Sequence, residues 1–190
     1  LSPKYHVVVA NPPYMGGKGM NGKLQEFAKK QYADSKADLF AMFMERALTL
    51  NVKFGMTAMI NMQSWMFLSS FENLRSNLLT KSSVISMIHL GDRAFDSIGG
   101  AVVSTTAFVL GKGQKSEYQG IFLNLTDGRS EAAKQLEFRS AIQDSQSSIR
   151  FQISTDEFTS IPGTPIVYWI SEDLQKAFQN FEPLSMSYAA

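Results

Sequence analysis

The chain has 190 residues, 44% of them apolar, with 18 basic against 17 acidic side chains; this allows a packed core and excludes a disordered polyelectrolyte or a surface of a single sign. It has no Cys and only two His, which excludes a disulfide framework and a cysteine metal site and leaves little for zinc. These counts fit a reducing, cytoplasmic setting; no apolar run approaches the ~20 residues of a membrane span and no signal-peptide pattern is present, so no membrane partner is expected.

Leu1 to Lys4 run straight into a strand, and the last residues are Ser-Met-Ser-Tyr-Ala-Ala, which suggests a piece excised from a longer protein. Residues 5–10 (YHVVVA) form a continuous β-branched run, the pattern of a strand buried on both faces in a parallel sheet. Asn11-Pro12-Pro13 must end it, because proline offers no ladder donor and pushes the preceding residue out of the helical region. Residues 15–23 (MGGKGMNGK) hold four glycines and predict a mobile loop. Residues 1–36 carry Lys4, Lys18, Lys23, Lys29, Lys30 and Lys36 against Glu26 and Asp34, a local excess that suits either a solvated surface or a polyanion.

A short helix is expected over 24–32 and a longer one over 35–51, with Leu39, Phe40, Phe43, Met44, Ala47 and Leu48 as one apolar stripe and Ser35 with Asp38 as a capping box. A strand over 55–61 follows, then a helix ending near Leu79 with Ser69 and Glu72 as a second capping box and Phe71, Leu74 and Leu78 turned inward. Strands over 84–90 and 102–110 are separated by too few residues for a crossover helix, so they are expected to be antiparallel neighbours. A strand over 118–125, an amphipathic helix over 130–141 with Ala133, Leu136 and Ala141 as its apolar face, and a short strand over 149–153 come next. Residues 156–165 read as a linker and 166–178 as a helix opening a further region. The order predicts an α/β fold with helices covering a mostly parallel sheet, in which ligands sit beyond the carboxyl ends of the strands. Asn11 to Tyr14 stand at such an end.

Asn-Pro also starts many turns, and a Tyr after prolines often packs on its own loop. The four residues nevertheless suit methyl transfer to an exocyclic amine. Such a nitrogen is a poor nucleophile because its lone pair is delocalised into the ring. Two carbonyl-type acceptors, Asn11 Oδ1 and the stiffly directed carbonyl of Pro12, would hold both amine hydrogens, orient the lone pair and stabilise the developing positive charge. Tyr14 would offer a face to stack on a base, worth roughly 1–3 kcal/mol.

The sequence here resembles the catalytic part of the N6-adenine DNA methyltransferases of restriction-modification and phage-defence systems. Asn11-Pro12-Pro13-Tyr14 matches their catalytic motif. Residues 37–47 (ADLFAMFMERA), 55–65 (GMTAMINMQSW), Leu90-Gly91-Asp92, Phe95 and 102–110 resemble the elements that follow it, over about residues 5–111. Phe158, Ile161-Pro162-Gly163 and Tyr168-Trp169 resemble large single-chain enzymes of the phage-exclusion PglX type.

The resemblance implies the C-terminal half of a Rossmann-like methyltransferase sheet with an antiparallel final strand pair. It implies S-adenosylmethionine as methyl donor and double-stranded DNA as partner, with adenine flipped out of the duplex onto Asn11, Pro12 and Tyr14. Pro13, Lys18, Lys23, Gln63 and Trp65 are candidates for the substrate side, the lysines near phosphates. Asp38 and Phe40 are candidates for the donor side, although helix capping explains Asp38 and core packing explains Phe40. His6 and His89 fall inside strand patterns and read as structural.

The family's glycine-rich turn after its first strand, and the acidic residue after its second, have no counterpart in residues 1–190. The donor-binding half is therefore expected to precede Leu1. Residues 1–111 would be the catalytic half, 112–155 an extension of it, and 156–190 a linker and the start of target recognition. The isolated chain is expected to be inactive and, with a sheet edge uncovered, prone to artificial oligomers. Methylation of a glutamine side-chain amide in a protein asks for the same acceptors and ring, and is one alternative; a non-catalytic binding or scaffold module with the same fold is another.

Overall fold

A computed structural model describes residues 3–95, 103–113, 117–171, 173, 174, 176 and 177. Asp96, Gly99, Gly100 and Val102 lie outside them. One six-stranded sheet organises the chain, in the order β1-β2-β4-β3-β5-β6. β1 (Tyr5–Ala10) pairs in parallel with β2 (Asn51–Met62). β4 (Thr105–Lys112) lies antiparallel between β2 and β3 (Ser82–Gly91). β5 (Gln119–Asn124) runs parallel to β3, and β6 (Arg150–Ser154) is antiparallel to β5. Thus β1, β2, β3 and β5 share one direction and only β4 and β6 oppose it, so the sheet is mostly parallel with the expected antiparallel partner for β3.

Helices α2 (Leu39–Leu50), α3 (Glu72–Lys81) and the short α5 (Thr155–Thr159) cover one face. The main core lies beneath them, built on Phe40, Met44, Trp65, Leu74, Met87, Phe108, Phe122 and Phe158. Burying each such side chain contributes roughly 1.5–3 kcal/mol. Helix α4 (Glu131–Gln143) lies on the other side, where Lys134 and Phe138 face Ile88, Leu90 and Leu125. Helix α1 (Gly22–Gln31) forms a satellite cluster with Met20, Ala28 and Met42.

β1 departs from the expectation of burial on both faces. Val8 and Ala10 pack on the core, but Val7 and Val9 are 58% and 73% exposed. A β-branched run reports strand propensity, whereas burial depends on neighbours, and β1 has one strand neighbour among the described residues. The β1–β2 register shifts between Tyr5 and Val7; nearby, Phe54 takes φ 63 and a Cβ on Gly55 would meet the carbonyls of Tyr5 and His6 at 3.1 Å.

Other expectations need correction. Ser35 does not cap α2: Asp38 does, and the Ser35 hydroxyl donates to Glu45. Phe43 is exposed, and Met42 and Leu39 turn to the satellite cluster. Ser69 makes no side-chain cap; it opens a 3-10 turn before α3. The glycine-rich loop is shorter than expected and tied down, with Gly17–Gly19 as a 3-10 turn and Lys23 already inside α1. Leu136 of α4 faces solvent, while Lys134 is buried.

The expected linker at 156–165 and the first part of the expected helix at 166–178 are replaced by a capped turn of helix, α5, and an irregular segment built into the body; residues 173, 174, 176 and 177 are helical, as expected. Ser154 and Glu157 form a capping box for α5. Phe158, Ile161, Ile166 and Tyr168 are all buried, and the Ile166 amide donates to the Met66 carbonyl at 2.9 Å. Tertiary contacts override the helical pattern there.

Candidate active site

At the carboxyl end of β1 the two prolines terminate the ladder and leave Asn11 exposed, with no hydrogen bond from its side-chain amide to any described residue. Pro12 is buried beneath it and Pro13 is exposed. All peptide bonds of the described residues are trans. Tyr14 is half-buried: its hydroxyl donates to the Ile60 carbonyl of β2 at 3.3 Å, and its ring meets Phe40 edge-on at 6.0 Å and 82°. Burial raises the Tyr14 pKa above the ordinary phenol value, so the ring stays neutral.

The loop beyond is pinned by the start of α2. Asp38 Oδ1 accepts from the Met15 amide at 2.9 Å and from the Phe40 amide at 3.3 Å. The Leu39 amide donates to Met15 O at 3.0 Å, and the Gly17 amide to Ala37 O at 3.2 Å. Helix α2 thus sets the exit path of the Asn-Pro-Pro-Tyr segment. Phe40 is fully buried against Phe71 and backs Tyr14, as core packing requires. Asp38 Oδ2 accepts no hydrogen bond among the described residues.

The next strand end carries Gln63, whose Oε1 lies 2.7 Å from His89 Nε2; His89 Nδ1 lies 3.0 Å from the Tyr168 hydroxyl. Trp169, 41% exposed, stacks on His89 at 5.9 Å. Burial, aided by Lys134, lowers the His89 pKa to about 4. Trp65 does not rim the site as expected: it is fully buried against Phe108. Lys18 and Lys23 are exposed near the loop, and Lys18, Lys29 and Lys36 line a depression of about 300 Å³ with Gly17 and Gln25.

Arg75 of α3 escaped the sequence reading. Its side chain is 1% exposed and donates to the carbonyls of Trp65, Leu68, Gly163 and Thr164, tying the segment after β2 to the turn before Tyr168. An Arg in a helical pattern reads as surface, and only its distant partners reveal the clamp. His89 and Tyr168 were missed as a pair for the same reason.

The open face of the sheet beside Asn11 is apolar. Val9, Ala58, Ile60, Ile88, Ala107 and Val109 line a shallow depression of about 480 Å³ that includes Asn11. A larger depression, about 770 Å³, lies at the opposite end of the sheet around Leu48, Lys53 and Lys112. Chemistry favours the smaller, because it holds the unpaired amide. Among the described residues there is no cluster of His, Asp or Glu suited to a metal ion and no helix long and apolar enough to cross a membrane.

Residues 1–95 match the Eco57I restriction-modification methylase family. Over 169 residues, 89% of this chain, it is 50% identical to the adenine-specific methyltransferase BrxX of Escherichia coli O9:H4 (strain HS). Over 172 residues, 90% of this chain, it is 44% identical to the adenine-specific methyltransferase PglX of Lacticaseibacillus casei (strain Zhang). The chain spans about 14% of the length of each of these curated relatives. A Listeria monocytogenes structure described as a class I S-adenosylmethionine-dependent methyltransferase shares the fold, with TM-score 0.54 and 14% identity over 76% of this chain and 43% of that one.

Proposed function

Because the chain belongs to the Eco57I restriction-modification methylase family, we propose that it is the acceptor-side segment of a longer adenine-N6 DNA methyltransferase. The exposed, unpaired Asn11 amide beside a neutral, anchored Tyr14 is the observation that carries this reading.

In this reading an adenine extruded from the duplex lies on the open part of the Tyr14 ring. Asn11 Oδ1 accepts one N6 hydrogen and the Pro12 carbonyl the other. Together they aim the nitrogen lone pair and stabilise positive charge as the new bond forms; neither acts as a base. Losing one preorganised partner of this kind costs about 100- to 1000-fold in turnover. The prolines limit backbone freedom, and the Ile60 carbonyl and Phe40 ring hold Tyr14, so little reorganisation accompanies binding. Lys18 and Lys23 contact DNA phosphates, and Pro13 lines the acceptor side.

S-adenosylmethionine is the donor that family membership implies, and it supplies an activated methyl group. The described residues alone do not make its site: no glycine turn links a strand to a helix here, Phe40 is buried, and Asp38 offers one oxygen. We place the donor-holding part on another segment, packed against the open face and against the edge of β1 that is unpaired among the described residues. Target recognition we assign to residues after 170 and beyond, since 155–170 are part of the body.

The test is methyl transfer to duplex DNA by the longer protein that carries this chain. Asn11→Ala is expected to lower turnover at least about 100-fold while duplex binding changes little. Unchanged turnover would remove Asn11 from the chemistry.

A further inference from the structure

Gln63, His89 and Tyr168 form a hydrogen-bonded chain whose direction is fixed by its buried end. Tyr168 is 1% exposed, and burial pushes its hydroxyl far above the ordinary phenol range, so it keeps its proton. The ring nitrogen Nδ1 of His89 is its one hydrogen-bond partner among the described residues, at 3.0 Å. Tyr168 therefore donates to Nδ1, and the single proton of the neutral imidazole lies on Nε2. That N–H donates to Gln63 Oε1 at 2.7 Å. The oxygen of the Gln63 amide is thereby committed. Its nitrogen, with two hydrogens, has no protein partner among the described residues, and stands past the end of β2, the strand that pairs with β1 and holds Tyr14 through Ile60.

We propose that Tyr168 and His89 are positioning residues that lock the Gln63 amide as a donor toward an acceptor atom of the DNA beside the target amine. An unlocked glutamine could offer either end; a locked one reads only acceptors, which a ring nitrogen of the extruded adenine and a phosphate oxygen both provide. The lock reaches across the fold. Arg75 ties the segment after Gln63 to Gly163 and Thr164, and the Ile166 amide bonds Met66, so the 163–168 segment and the end of β2 move together. A part of the chain outside the region matched by the family thus sets the donor pattern at the site.

This inference rests on the methyltransferase reading, and its test separates the two. Native longer protein, Gln63→Ala, Tyr168→Phe and the double variant are compared for turnover and duplex KM. Tyr168→Phe keeps the ring that stacks on Phe122, and equal thermal midpoints check that it folds. Each single variant is expected to raise duplex KM about tenfold with turnover nearly unchanged, and the double variant no more than either alone. Effects that multiply would show Tyr168 acting through structure alone and overturn the relay. An unchanged KM for Gln63→Ala would overturn the donor assignment. A KM penalty reproduced by replacing a phosphate oxygen beside the target with a methyl group places the acceptor on phosphate; one reproduced by replacing a ring nitrogen of the target adenine with carbon places it on the base. Absence of methylation by the native protein would instead reject the reading beneath it.

Discussion

A buried guanidinium holds the loop beside the candidate site, and its removal would leave the carbonyls of Trp65, Leu68, Gly163 and Thr164 without their shared donor. Arg75→Met is expected to destabilise the fold by about 3–5 kcal/mol, read as a lower midpoint in urea unfolding. His89 adds a pH dependence. In an unfolded chain it gains a proton as pH falls through 6.5, whereas in the fold it does so only near about 4. Its contribution to stability is complete above pH 6.5 and is lost progressively as pH falls toward 4, because the unfolded state then binds the extra proton. The loss is up to roughly 3 kcal/mol, and His89→Gln should flatten the stability profile over that window. Asn11 and Tyr14 could be picked out as candidates from the sequence because the pattern that proposes them is local to four residues. Arg75, His89 and Tyr168 could not, since their partners lie 7 to 89 residues away.

At the scale of elements, strands read more clearly than caps and helix faces. β2, β3 and β5 announce themselves as β-rich runs between turn residues. The start of α2 was misplaced because Ser35 and Asp38 are both good caps, and the choice was made by Met15, whose amide also needs the Asp38 carboxylate. Residues 166–170 carry a helical pattern, yet the core takes Ile166 and Tyr168 as separate plugs. The pairing of β3 with β5 depends on a missing side chain: a Cβ on Gly120 would lie 2.2 Å from the Val84 carbonyl oxygen. Gly120→Ala is expected to force these strands apart and cost about 1–3 kcal/mol, with amide exchange rising first along β5 and β6.

For the whole molecule, the sheet is covered by α2, α3 and α5 on one side and only partly by α4 on the other. Val7 and Val9 extend the apolar patch around Ile60 and Val109 to a strand edge that is unpaired among the described residues. Such a surface favours self-association of the isolated chain. Sedimentation should show concentration-dependent oligomers, and Val9→Lys should shift them toward monomer without lowering the thermal midpoint. The family resemblance predicted that edge; the sequence pattern of β1 alone pointed to full burial, because a strand cannot signal which neighbours it lacks.

In the proposed reaction Asn11 presents an adenine amine for methylation. This role is tested most directly by incubating the longer protein with labelled S-adenosylmethionine and duplex DNA, digesting the DNA and identifying the labelled nucleoside. N6-methyladenine is expected from the native protein, with a nearly complete loss from Asn11→Ala at comparable DNA binding. Label on another base, or N6-methyladenine undiminished by the substitution, would contradict that role.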